Sequence, residues 1–239
     1  MVPSPIILAL DRLDRAAALA LAARVAGRVH ALKIHDLYLA HGPGVVAELK
    51  RHAPVWVDLK FHDIPATVAA HARRMVDAGA DFFTVHASGG PEMCAAAVDA
   101  GGVARVIAVT VLTSLDEHAI RNVYGAGPEA TVRQLAHLAV EGGVRALVCS
   151  PLEARALRDD PVTAACRRIT PGIQPAWLTE GRDAAGERWA GAADQARVAA
   201  PRAALDAGAT YLVIGRAIVG NADPSAALDR TLAEIGVLA

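Results

Sequence analysis

The sequence predicts a single (β/α)8 barrel. Three observations carry that prediction. Eight short apolar runs are spread through the chain, Ala-rich helix-forming stretches lie between them, and glycine recurs where a helical stretch gives way to a strand. Shared among eight strand–helix units, 239 residues give about 30 each, close to what such barrels use. No linker or low-complexity tract divides the chain, so residues 1–239 are expected to form one domain. An open doubly wound sheet is the alternative, but its GxGxxG phosphate turn is absent after the first strand.

In chain order the predicted strands are Ile6–Leu10, Ala31–Ile34, Val55–Lys60, Phe82–His86, Val106–Thr110, Ala146–Cys149, Arg168–Thr170 and Tyr211–Ile214. Such runs are apolar on both faces, as strands of a buried parallel sheet must be. Segments such as Asp14–Ala26, Pro65–Asp77, Thr131–Glu141 and Ala199–Asp206 combine helical spacing with good helix formers. Gly79 in DAGADFF, Gly142–Gly143 in EGGVRALV and Gly208 in DAGATYLV mark helix ends, where a left-handed cap suits glycine. The Ala/Gly/Arg-rich stretch Thr179–Ala193 reads as one long mobile loop after the seventh strand.

Composition narrows the function. Hydrophobic residues make up 54% and charged residues 21%, a core-forming balance. With 24 basic against 25 acidic residues, no global cationic field exists to hold nucleic acid or an anionic membrane. The early apolar run Ile6–Leu10 is cut by Asp11 and Arg12 and lacks a basic leader, so neither a signal peptide nor a membrane span is expected. Three widely spaced cysteines give no disulfide framework and suit a reducing cytoplasm. The nine histidines form no HExxH and no Cys/His cluster, so no metal site is expected.

Catalytic groups of a barrel stand at the carboxyl ends of its strands. Asp11 ends the first strand, Lys33 lies within the second, and Asp58, Lys60 and Asp63 end the third in VWVDLKFHDIP. Residues two apart share a strand face, so Asp58 and Lys60 point together while Val57 and Leu59 face the helices. A lone Asp-x-Lys is as readily a structural ion pair. Lys33 on the neighbouring strand turns the pair into an alternating array, and buried charges are costly unless paired or functional. His62 shares the parity of Lys60 but has no metal partner at a recognisable spacing, which favours a hydrogen-bonded structural histidine. His86, Thr113 and Ser114 stand at the level of a pocket. Across the mouth, Gly215 and Arg216 in VIGRAI read as a phosphate grip, and Thr170–Pro175, TPGIQP, as a stiff turn beside it.

The motifs LALD, LKI, DLKFHDIPATV, VHASGG, VTVLTS, TPGI and VIGRAI occur in that order over nearly the whole chain. Together they resemble the orotidine 5′-phosphate decarboxylase family. The resemblance implies cofactor-free conversion of orotidine 5′-phosphate (OMP) to UMP and CO2, the last step of UMP synthesis. Lys33, Asp58, Lys60 and Asp63 match the family's Lys/Asp/Lys/Asp tetrad. Lys60 is then the proton donor to C6, Asp58 lies beside the departing carboxylate, and Lys33 bridges Asp58 and the ribose. Asp63, with Ile64 and Thr67, is expected to complete the partner's site in a homodimer. Asp11 is expected to bind a ribose hydroxyl, Thr113 the pyrimidine edge, Gly215 and Arg216 the phosphate, and Gln195 matches the family's loop glutamine. Two departures stand out. Gln174 occupies the place of an arginine, with Arg182 or Arg188 as candidate replacements, and His35–Asp36 follows Ile34 where glycine is usual after the lysine.

The chemistry suits these groups. Loss of CO2 leaves an sp2 carbanion that the pyrimidine cannot delocalise well, and no pyridoxal, thiamine or metal signature supplies an electron sink. A preorganised ammonium stabilises the charge and then delivers its proton, which arginine does not readily do. At about 4 Å and an effective dielectric of about 20, one charge pair contributes about 4 kcal/mol. Two rivals remain. One is a metal-dependent barrel acting on sugar phosphates, such as a 3-keto-gulonate 6-phosphate decarboxylase or a hexulose phosphate synthase. The other is a nucleotide-phosphate-binding barrel without catalysis.

Overall fold

A computed structural model of the chain describes residues 4–178 and 198–237. The strands are β1 (Ile6–Ala9), β2 (Ala31–Ile34), β3 (Val55–Phe61), β4 (Phe82–His86), β5 (Val106–Val109), β6 (Ala146–Val148), β7 (Arg167–Thr170) and β8 (Tyr211–Ile214). They pair in sequence order and close into a barrel. Closure joins β8 to β1 in parallel register, with Ile6 opposite Leu212 and Leu8 opposite Ile214. Parallel neighbours need a long crossover, and helices supply it between strands.

Strand parity divides the apolar residues into two sets. Ile7, Trp56, Ile107, Ile169 and Val213 fill the barrel interior. Ile6, Leu8, Leu32, Val55 and Phe83 point the other way and pack under the helices. The interior is thus a packed plug, and a site can open only above it, at the strand ends.

The helix ends follow local chemistry. Asp14 accepts a hydrogen bond from the Ala17 N–H and caps the helix Arg15–Val25; Asp116 does the same through Ala119 for Glu117–Tyr124. Proline stands at the start of Pro65–Asp77, Pro128–Glu141 and Pro201–Asp206. The predicted Asp14–Ala26 therefore loses its two end residues to caps, and Thr131–Glu141 gains a turn at its start. The predicted Ala199–Asp206 begins only at Pro201, because Ala199 bridges to Ile173 instead. Gly79, Gly143 and Gly208 have positive φ at the helix-to-strand junctions, whereas Gly142 does not.

Strand ends shift slightly from the sequence reading. β1 stops at Ala9, so Asp11 stands two residues beyond it; β3 runs on to Phe61, leaving Asp63 beyond its end. The predicted loop Thr179–Ala193 lies outside the described residues. Among the described residues no helix is long and apolar enough to cross a membrane.

Candidate active site

The carboxyl ends of the strands surround a cavity of about 320 Å³, within the range of small-ligand sites. Its floor is charged. Lys33, 8% exposed, donates from Nζ to Asp11 Oδ2 at 2.7 Å and lies 3.3 Å from Asp58 Oδ2. Asp58, 5% exposed, accepts from Lys60 Nζ at 2.9 Å on the same oxygen. The order in space is therefore Asp11–Lys33–Asp58–Lys60, an alternating row drawn from β1, β2 and β3.

The row explains the ionisation of its members. Burial alone would raise the Asp58 carboxyl, but the ammonium groups of Lys33 and then Lys60 outweigh it and hold it below the usual carboxylate range. Burial alone would lower Lys33, yet Asp58 and Asp11 together push it above its ordinary value. The two buried charges, Lys33 and Asp58, are held ionised by their neighbours, the condition under which buried ions are tolerated.

The backbone beneath the row is irregular. Pairing of β3 with β4 passes from Val57 opposite Phe83 to Phe61 opposite Val85, so Asp58, Leu59 and Lys60 face Thr84 alone. Lys60 itself has φ 53°. Its N–H donates to Thr84 Oγ1 at 3.0 Å, and the Thr84 hydroxyl donates to Asp58 Oδ1 at 2.8 Å. His35 Nδ1 lies 2.7 Å from the Asp58 carbonyl oxygen. Its neighbour Asp36 accepts from the N–H of Arg12, which has φ 70° and lines the cavity.

Of the residues singled out from the sequence, Asp11, Lys33, Asp58, Lys60, Thr113, Gln174, Gly215 and Arg216 line the cavity. Gly215 faces Ala9 across the β1–β8 pair so closely that a Cβ would sit 3.3 Å from the alanine's. Gln174 is held at the rim by its N–H, which donates to the Ala199 carbonyl at 2.9 Å.

Others lie elsewhere. Asp63 is exposed and accepts from its neighbour Ile64 N–H at 2.7 Å; it, Ile64 and Thr67 do not line the cavity within one chain. His62 is exposed beside the His86 ring, with centroids 5.4 Å apart, so it does not face the interior with Lys60. The bulge breaks the strict alternation that parity assumed. His86 and Ser114 do not line the cavity either. Gln195, Arg182 and Arg188 fall outside the described residues.

Sequence reasoning passed over Thr84, His35 as a support, and Arg12. Thr84 had a legible signal, a polar residue in the middle of the run Phe82–His86, and the structure buries it fully. His35 meets a backbone carbonyl of the neighbouring strand, and Arg12 donates its own backbone N–H to the Asp36 carboxylate, pairings that no spacing rule reveals. Among the described residues no group of three His, Cys, Asp or Glu side chains is placed to hold a metal ion.

Known proteins resemble this chain throughout. The family model described as Orotidine 5'-phosphate decarboxylase / HUMPS family matches residues 4–231. An orotidine 5′-phosphate decarboxylase of Thermobifida fusca (strain YX) is 48% identical over 236 residues, covering 97% of this chain and 96% of its own. One from Anaeromyxobacter sp. (strain K) is 46% identical over 232 residues, covering 95% and 96%. The crystal structure of orotidine 5′-phosphate decarboxylase from Lactobacillus acidophilus matches with a TM-score of 0.77 at 30% identity, over 98% of this chain and 99% of that one.

Proposed function

The chain belongs to the orotidine 5′-phosphate decarboxylase / HUMPS family and is a decarboxylase, hence a lyase; we propose that it converts OMP to UMP and CO2 without a cofactor, the closing step of UMP synthesis. The whole chain acts as one catalytic barrel in this reading. The observation that carries it is the row Asp11–Lys33–Asp58–Lys60 at the cavity floor. A site that only bound a nucleotide would have no use for two carboxylates beside its cations.

The substrate lies with its carboxylate toward Asp58 and its C6 toward Lys60. The C6–carboxylate bond breaks, CO2 departs, and the electron pair remains on C6. The Lys60 ammonium stabilises that pair electrostatically and then gives up a proton to it. Lys33 keeps the Asp58 carboxylate ionised and in place. Asp11 Oδ1 is buried and has no protein partner among the described residues. A ribose hydroxyl donating to it would satisfy that oxygen, which supports the ribose assignment.

At the other end of the cavity Gly215 and Arg216 receive the phosphate, with Thr113 toward the pyrimidine edge. Phosphate binding, remote from C6, supplies energy that positions the reacting carbon. Gln174 offers a neutral hydrogen bond where the family has an arginine. A charge-assisted hydrogen bond contributes about 1.5–3 kcal/mol, so the substitution weakens phosphate binding and leaves the chemistry intact. Gln195, which matches the family's loop glutamine, is a further substrate-binding residue in this reading.

The active unit is a homodimer with shared sites. Asp63, Ile64 and Thr67 reach the partner's cavity in this reading. The exposure of Ile64, 66%, fits that reading, since it leaves a large apolar side chain free to enter a partner. Three buried free thiols, Cys94, Cys149 and Cys166, fit a reducing cytoplasm.

A metal-free spectrophotometric assay tests the function directly. Loss of the OMP absorbance is expected, unchanged by EDTA. No turnover overturns the reading, and turnover abolished by EDTA moves the protein to the metal-dependent sugar-phosphate side of its family.

A further inference from the structure

The segment that carries Asp58 and Lys60 is the least regular part of the barrel. Pairing of β3 with β2 ends at Val57, opposite Ile34. Pairing with β4 loses register between Val57 and Phe61. Lys60 holds a left-handed backbone, which persists in a non-glycine residue only where the surroundings over-determine it. Two side chains from the flanking strands do this. Thr84 on β4 takes the Lys60 N–H and donates to the Asp58 carboxylate. His35, the first residue after β2, meets the Asp58 carbonyl.

A carbonyl oxygen only accepts, so His35 Nδ1 is the donor and carries the ring proton. His35 does not line the cavity, and its hydrogen bond goes to the Asp58 backbone carbonyl and not to the reacting side chains. Its bond falls on the peptide group between Asp58 and Leu59, the last fixed point before the chain turns into the left-handed Lys60.

We infer that His35 is a positioning residue for the decarboxylation: its Nδ1–H pins the Asp58 carbonyl and so sets where the Lys60 ammonium stands. The inference rests on the reading of Lys60 as the proton donor. A residue that merely tied β2 to β3 would change thermal stability and leave the catalytic step alone.

The test compares His35→Ala with His35→Asn. Asparagine presents a side-chain N–H at about the reach of Nδ1; alanine presents none. Misplacing a reacting group by about 1 Å costs on the order of 100-fold in rate, so kcat of the alanine variant should fall about 10- to 100-fold. KM and UMP affinity should stay within about threefold, since binding contacts remain, and asparagine should recover most of the lost kcat. An alanine variant with kcat within about twofold of wild type overturns the inference, as does an asparagine variant no better than alanine. A second measurement needs no substrate. Long-range 1H–15N spectra above neutral pH should find the His35 proton on Nδ1; a proton on Nε2 instead overturns the bond itself. Wild-type turnover of OMP in the same series decides the functional reading separately.

Discussion

Lys60 occupies a backbone conformation that costs a non-glycine residue about 1–2 kcal/mol, at φ 53°. Thr84 and His35 offset that cost through the bonds described above. The gain is placement. A regular β3 would send residues 58 and 60 along one face about 6.6 Å apart at two strand rises. In the bulged segment the Lys60 Nζ meets Asp58 Oδ2 at 2.9 Å. Truncating this residue should therefore separate chemistry from binding. Lys60→Ala is expected to lose measurable turnover while UMP binding stays detectable by calorimetry, because the phosphate and ribose contacts lie elsewhere. Retained decarboxylation would remove Lys60 from its role.

At the scale of elements, the ring of helices sets how tightly the barrel is held. Gly142, just past the end of the helix Pro128–Glu141, packs directly against the helix Gly90–Gly101. A Cβ there would lie 2.5 Å from the Cys94 Cβ and 2.6 Å from the Pro91 carbonyl oxygen. Its φ of −73° would suit any residue, so the restriction is steric and not conformational. Gly142→Ala should cost about 1–3 kcal/mol through overpacking, read as a lower urea midpoint. Gly142, Cys94 and Pro91 do not line the cavity, so kcat of the folded fraction should hold. An unchanged midpoint would mean that the two helices can part without loss.

At the scale of the whole molecule, the charged mouth and the barrel base respond to pH in one direction. Burial and the nearby Arg167 lower the His30 imidazole below its ordinary value of 6.5, where it stacks on Tyr211 at 4.0 Å. Burial, His62 and Lys60 likewise lower His86. A histidine with a lowered folded value binds fewer protons than it does unfolded. Stability is therefore full above the ordinary histidine range and falls as pH drops through it. The depressed Asp58 acts further down: its contribution is present above the ordinary carboxylate range and is lost as pH falls through its own lower value. Unfolding midpoints at pH 7.5 and 5.5 should differ in that sense, and His30→Phe should reduce the difference. An equal pH response in the variant would discharge His30 from this part. The proposed shared site has its own test. Lys60→Ala and Asp63→Ala, each inactive alone, should regain partial activity when mixed. No rescue, despite proven subunit exchange, would place Asp63 outside its partner's cavity.

Much of the architecture was legible in the linear chain. Strand runs such as Ala31–Ile34 and Tyr211–Ile214 coincide with β2 and β8 residue for residue, since a strand buried on both faces is apolar except where a site residue such as Lys33 interrupts it. Pro65–Asp77 is also met at both ends, where proline opens the helix. Lys33, Asp58 and Lys60 were legible as a group because charge in such strands is expensive and conspicuous. The tertiary structure decided the rest. It added Asp11 to the Lys33–Asp58–Lys60 array, because closure of β1 against β2 brings Asp11 to Lys33, and within one chain it set Asp63 apart from the cavity, accepting from its neighbour Ile64. It also supplied Thr84 and His35 as supports. Local periodicity records which face a residue takes, but a bulge, a register shift and a bond to a neighbouring strand's carbonyl exist only once the barrel has closed.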